Sequence, residues 1–137
     1  MKHNVQLEAD RWLKQAEGDL KSAHIVRKSG LHHWTCFMCQ QSGEKALYAF
    51  LYAQKAEDVW GHSLADLCED AKHFDTSFEM IKSVAILLDK YYYVTRYPSQ
   101  LPGGISSDVF TDNDSSKAIE IAEEVLNFVK DRLGKNE

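Results

Sequence analysis

Proline is missing from the first ninety-seven residues of this 137-residue chain, and its two prolines then fall close together, at Pro98 and Pro102. Without an imino acid to delete an N–H donor and clash with the preceding turn, long helices are open to most of the chain. Long apolar runs are missing too. No stretch approaches the roughly 20 apolar residues that span a bilayer, and Met1-Lys2-His3-Asn4 leads into a polar amphipathic segment rather than an apolar leader. The expectation is a soluble, cytoplasmic protein with no membrane partner. Cysteine is scarce and odd in number, three in all, which predicts reduced thiols instead of a disulfide framework. Neither G-x-x-x-x-G-K-[ST] nor a dinucleotide fingerprint occurs, so any nucleotide has to be held by side chains between helices.

What is present fits one core. Hydrophobic residues make up 44% of the chain, enough for a single domain over residues 1–137 and too little for two. The net charge of −5 is unevenly spread: Met1 to Lys55 carries eight Lys/Arg against five Asp/Glu, whereas Ala56 to Glu137 carries eight against sixteen. That balance disfavours a DNA partner, which needs many cationic contacts to phosphates, yet leaves room for a local basic pocket.

Helical periodicity runs almost throughout. Val5, Ala9, Trp12, Leu13, Ala16, Leu20, Ala23 and Val26 form one stripe of a first helix ending near Ser29-Gly30. Residues from about Leu31 to Gln54 are apolar nearly all round and predict the central helix of a bundle. Gly61 breaks the chain and Ser63 is placed to cap a short third helix. Thr76-Ser77-Phe78-Glu79 fits a capping box for a fourth helix that runs through Tyr91-Tyr92-Tyr93 and stops before Pro98. Asp112-Asn113-Asp114 offers N-caps for the last helix. No strand signal competes, so the expected fold is all-α, an up-and-down bundle of four long helices plus one short helix.

The single break in this pattern, Tyr93-Val94-Thr95-Arg96-Tyr97-Pro98, sets an arginine among tyrosines and is the candidate site. Arg96 either binds phosphate or has a structural role, capping the C-terminal carbonyls of the fourth helix or stacking on Tyr97. Tyr93 and Tyr97 either hydrogen-bond a ligand or pack with a polar tip at the surface. Lys45 is a phosphate contact if it faces a cleft, and otherwise needs an anionic partner. His62 binds ligand or bonds a neighbouring helix end, the structural role being the commoner one. Gln40, Gln41 and Ser42 line a polar pocket, a dimer seam or an interhelical hydrogen-bond cluster. Gly18 and Gly43 inside helices suggest close helix approach. Cys36-Phe37-Met38-Cys39 has C-x-x-C spacing without a second ligand pair, and the six histidines are scattered, so no metal and no cofactor are expected.

Four segments together, Arg11-Trp12-Leu13-Lys14-Gln15-Ala16-Glu17-Gly18-Asp19-Leu20, Trp34 to Leu47, Gly61-His62-Ser63-Leu64 and Arg96-Tyr97-Pro98, resemble the HEPN (higher eukaryotes and prokaryotes nucleotide-binding) domain over nearly the whole chain. The branch resembled includes the C-terminal domain of sacsin and small stand-alone prokaryotic members. The resemblance implies a homodimer, binding of an ATP- or GTP-type nucleotide, and pairing with a minimal nucleotidyltransferase, as in toxin–antitoxin systems. Ribonuclease toxins of the family carry an Arg, four to six residues, then His. Arg96 stands roughly in that place, but Tyr97-Pro98-Ser99-Gln100-Leu101-Pro102-Gly103 supplies no histidine. Guanidinium can orient or neutralise phosphate but cannot shuttle a proton near neutral pH, so no catalytic residue is assigned and the enzymatic reading is disfavoured. The one literal match to the spacing, Arg27 to His32-His33, falls at a helix turn and reads as coincidence. Three readings stand: a non-enzymatic dimer binding a nucleotide or a nucleotidyltransferase, a ribonuclease toxin in which another side chain replaces the histidine, and a purely structural dimer.

Overall fold

A computed structural model describes residues 4–134 and shows helices only among them, as the periodicity predicts. The first helix, α1 (Val5–Lys28), starts where the Asn4 side chain accepts the Leu7 N–H at 3.2 Å, and it buries Ala9, Leu13, Ala16, Leu20 and Ala23 along one stripe. Gly30, at φ 77°, turns the chain into α2 (His32–Ala53). This helix is buried on most of its circumference, because α1 packs along one side and the last helix along another. The small residues Ala16 and Ser42 let α1 and α2 approach closely, and the Ser42 hydroxyl donates to the Ala16 carbonyl at 2.8 Å. Thr35 does the same toward Ala23 at 3.4 Å.

The short helix α3 (Leu64–Lys72) is capped as expected, Ser63 Oγ accepting from the Asp66 N–H at 3.1 Å. The fourth helix departs from expectation. It is broken into α4 (Phe78–Ala85), a 3₁₀ turn over Ile86–Leu88 and the single turn α5 (Tyr91–Val94). The kink places the Asp89 carboxylate at the N-terminus of α3, where it accepts from the Leu64 N–H at 2.6 Å, the Ala65 N–H at 3.3 Å and the Ser63 hydroxyl at 3.0 Å. A carboxylate there satisfies orphan donors and complements the helix dipole, which compensates for the lost helical bonds.

The capping box at Thr76 to Glu79 does not form. Ser77 gives no side-chain cap; its N–H and hydroxyl go to Asp75 at 2.9 and 2.6 Å. After Pro98 the chain makes a 3₁₀ turn and the four-residue α6 (Ser106–Val109), pinned by Ser106 donating to the Val94 carbonyl at 2.8 Å. The cap of α7 (Asp112–Arg132) is Thr111, reciprocated by Asp114, which frees Asp112 to accept from Nε and one terminal nitrogen of Arg27, each at 2.9 Å. Phe78 is the anchor of the core, fully buried between Phe50 and Phe128 at 4.3 and 5.1 Å between ring centroids.

Of the two helical glycines, only Gly43 marks a close approach: a Cβ there would meet Leu64 Cδ2 at 2.5 Å. Gly18 has nothing within 4 Å, which corrects the packing expectation for it. No helix of the described residues is long and apolar enough to cross a membrane.

Candidate functional site

The residues following the kink build a small aromatic platform. Tyr91, Tyr92 and Tyr93 are successive helical positions, so they point in three directions: Tyr91 is buried, Tyr92 is half-buried at the seam, and Tyr93 is exposed. Arg96 lies one turn after Tyr92, and its guanidinium carbon sits 4.5 Å from the Tyr92 ring, 4.3 Å from Phe37 of α2 and 4.9 Å from Tyr97. Its Nε donates to the Tyr92 carbonyl at 2.8 Å and a terminal nitrogen donates to the same oxygen. The structural role considered for Arg96, capping plus stacking on Tyr97, is therefore realised.

The same geometry leaves capacity. A guanidinium carries five N–H donors, and Arg96 spends two, both on one carbonyl. The other described arginines are each paired with a carboxylate: Arg11 with Glu8, Arg27 with Asp112, Arg132 with Asp75 and Asp131. Arg96 alone among them has no anionic partner, although it is half-buried against ring faces that cannot neutralise it. Such a cation has its stem and one edge fixed by the protein and its remaining edge available to an oxyanion.

His62, from the loop before α3, joins this cluster through Tyr92: the two rings stack at 4.4 Å and 17°. Its Nδ1 lies 3.0 Å from Glu44 Oε1, and Glu44 is a buried carboxylate that also accepts from Gln40 at 3.2 Å. Gln40 in turn donates to the His62 carbonyl at 2.9 Å and receives Gln41 at 2.8 Å. Gln40 and Gln41 thus belong to a hydrogen-bond cluster within α2 that reaches the loop before α3, rather than to one between helices, and it holds the imidazole in place. Tyr48 closes the loop by donating to the Gly61 carbonyl at 2.8 Å, and burial beside Glu44 pushes its phenol up to about 12.

Lys45 does not join. Its ammonium bonds Asp19 of α1 at 2.7 Å with both side chains largely covered, which answers its need for a partner and leaves it without a contact to the Arg96 platform. Arg27 and His32 are likewise committed, to Asp112 and, at 2.8 Å, to Ser115, so the stray Arg-to-His spacing is an α1–α2–α7 tie. The three cysteines are free and buried, with burial raising the Cys36 and Cys68 thiols to about 12 and shifting Cys39 upward too. Among the described residues no three His, Cys, Asp or Glu side chains come together to hold a metal ion; His3 lies outside them.

Tyr92 and Phe37 are the two platform residues that the sequence reading passed over. Tyr92 had a signal, its four-residue spacing from Arg96, which mirrors that of Tyr93 from Tyr97. Phe37 had none, since it arrives from another helix.

Residues 9–132 match the HEPN domain family. Human sacsin is 28% identical over 118 residues, a stretch that is 83% of this chain and only 3% of sacsin. The toxin-named protein MJ1304 of Methanocaldococcus jannaschii is 26% identical, with 91% of this chain and 88% of that one aligned. Among solved structures, TT1696 from Thermus thermophilus is similar at a TM-score of 0.85 and 35% identity, covering 90% of this chain and 97% of its own. ST0689, titled an archaeal HEPN homologue, gives 0.76 and 32%, covering 96% and 98%.

Proposed function

The chain belongs to the HEPN domain family, and from that premise we propose that it is a non-enzymatic helical module that dimerises and binds the phosphate of an ATP- or GTP-type nucleotide at Arg96, alone or together with a minimal nucleotidyltransferase. The observation that carries this reading is the unpaired Arg96 guanidinium, fixed on the Phe37, Tyr92 and Tyr97 rings. The exposed Tyr93 and Tyr97 rings beside it offer faces for a nucleobase or for the same surface of a second copy. His62 and Tyr93 remain in the proposed site; Lys45 contributes stability to the α1–α2 pair instead. Titration calorimetry with ATP and GTP tests the reading: binding that Arg96→Ala abolishes and Arg96→Lys weakens supports it, and no heat from either nucleotide refutes it.

A second reading is favoured by one observation. His62, oriented by Glu44, stacks on the ring that also carries Arg96, so an imidazole able to move a proton stands near a phosphate-binding cation even though none follows Arg96 in sequence. One relative carries the name of a toxin, the role a ribonuclease of this kind would have. Cleavage of cellular RNA lost equally in His62→Ala and Arg96→Ala would establish it, and intact RNA with the parent protein would remove it.

A further inference from the structure

One hollow among the described residues is walled mainly by carboxylates on its α3 side. It measures about 700 Å³, lies between the α2–α3 loop, α3 and the kink, and is walled by Trp60, Asp66, Glu69, Asp70, Asp89 and Tyr93 among others. A second hollow of about 340 Å³ shares Trp60 and Asp70 as its wall and adds Glu57, Asp58, His73 and Phe74. Six carboxylates therefore line the two, and no lysine or arginine does. Two are already engaged, Glu69 by Lys72 and Lys82, and Asp89 by the first amides of α3. Among the described residues, Glu57, Asp58, Asp66 and Asp70 make no hydrogen bond or ion pair through their side chains.

Trp60 is the ridge between the hollows. It is 75% exposed and its indole makes no ring contact and no hydrogen bond among the described residues, in a protein where Trp12 stacks on Tyr52 and Trp34 meets Phe37 edge-on. It is presented by a loop with two non-glycine residues in the left-handed region, Lys55 at φ 61° and Asp58 at φ 55°, of which aspartate is a residue type that adopts it readily and lysine is not.

We propose that this ridge and its two acidic hollows form a docking site for a lysine- or arginine-rich segment of a partner polypeptide, with one cationic side chain entering on each side of Trp60. The sign of the site selects a cation, and both faces of an exposed indole are strong cation–π acceptors. Alternate side chains of an extended segment stand about 7 Å apart, a pitch suited to straddling one ring. The aliphatic stems would cover Trp60, Phe74 and Tyr93 while their charges reach Asp66 and Asp70. A phosphate polymer is repelled there, and the carboxylates are not gathered closely enough to hold a metal ion. Arg96 itself does not line the hollow, which borders the Arg96 platform through His62, Tyr92 and Tyr93.

Fluorescence anisotropy of a labelled peptide of alternating arginine and glycine, titrated with the whole protein, tests the proposal. Trp60→Ala and the pair Asp66→Asn/Asp70→Asn are each expected to weaken binding about tenfold, whereas Trp60→Phe keeps most of it. The pair Glu120→Gln/Glu124→Gln, which removes the same charge from exposed sites on α7, and Arg96→Ala are expected to change it less than about twofold. Absence of peptide binding, equal loss in the α7 pair, or full displacement by spermine at matched charge would each overturn it, the last by making the site one for polyamines. Retained binding in Arg96→Ala keeps this outcome separate from that of the nucleotide titration.

Discussion

Replacing Asp89 by alanine asks whether one carboxylate holds the bend that builds the site. Asp89 accepts three hydrogen bonds at the start of α3, from Leu64, Ala65 and Ser63. A lost helix cap costs about 0.5–2 kcal/mol and a hydrogen bond to a charged group about 1.5–3 kcal/mol, so the combined, partly overlapping loss is about 2–3 kcal/mol. For a chain of this size that lowers Tm by about 6–12 °C, and it moves the urea midpoint by about 1 M at an ordinary denaturant slope. Asp89→Asn keeps one accepting oxygen but turns an amide toward donors, and is expected to lose about half as much. Chemical denaturation followed by circular dichroism reads both. A loss under about 0.5 kcal/mol in Asp89→Ala would show that the carboxylate is not what fixes the kink, and the physical reason given for the broken fourth helix would fall with it.

The two helical glycines should respond oppositely to the same change. Gly18→Ala, in open space, gains about 0.5–1 kcal/mol from backbone entropy, while Gly43→Ala must displace the fully buried Leu64 and Leu88 and is expected to lose about 1 kcal/mol net; equal thermal shifts would contradict the packing described. His33 has a buried Nδ1 with no partner, and burial together with His32 holds its pKa below the ordinary 6.5. The unfolded chain then binds the proton more tightly, so this contribution is fully present above pH 6.5 and is lost as pH falls through the folded value. The stability gap between the parent and His33→Phe, measured by urea titration from pH 7.5 to pH 5, should move against the parent as pH falls, and a constant gap would refute the assignment.

Periodicity made the bundle legible because the apolar stripes of α1 and α7 and the all-round apolarity of α2 are properties of single helices. The kink at Asp89 was not legible: its cause is a carboxylate capping a helix some 25 residues earlier in the chain, and nothing within Phe78–Val94 announces it. The same limit applies to Lys45, whose partner Asp19 lies on another helix. Thr111 was missed as a cap because three adjacent acceptors, Asp112 to Asp114, compete for the role in sequence and only geometry separates them. Arg96 was found because prolines follow it closely, whereas the acidic hollows draw their carboxylates from separate loops and helices and have no linear signature.

The most direct test of the central claim, that Arg96 is a fixed cation open to a phosphate, is the nuclear magnetic resonance signal of the arginine Nε–H groups. With the Arg96 resonance assigned by its disappearance in Arg96→Lys, addition of ATP or GTP is expected to shift that signal and leave those of the carboxylate-paired Arg11, Arg27 and Arg132 in place. An unmoved Arg96 resonance at saturating nucleotide, or shifts confined to the paired arginines, would contradict the account.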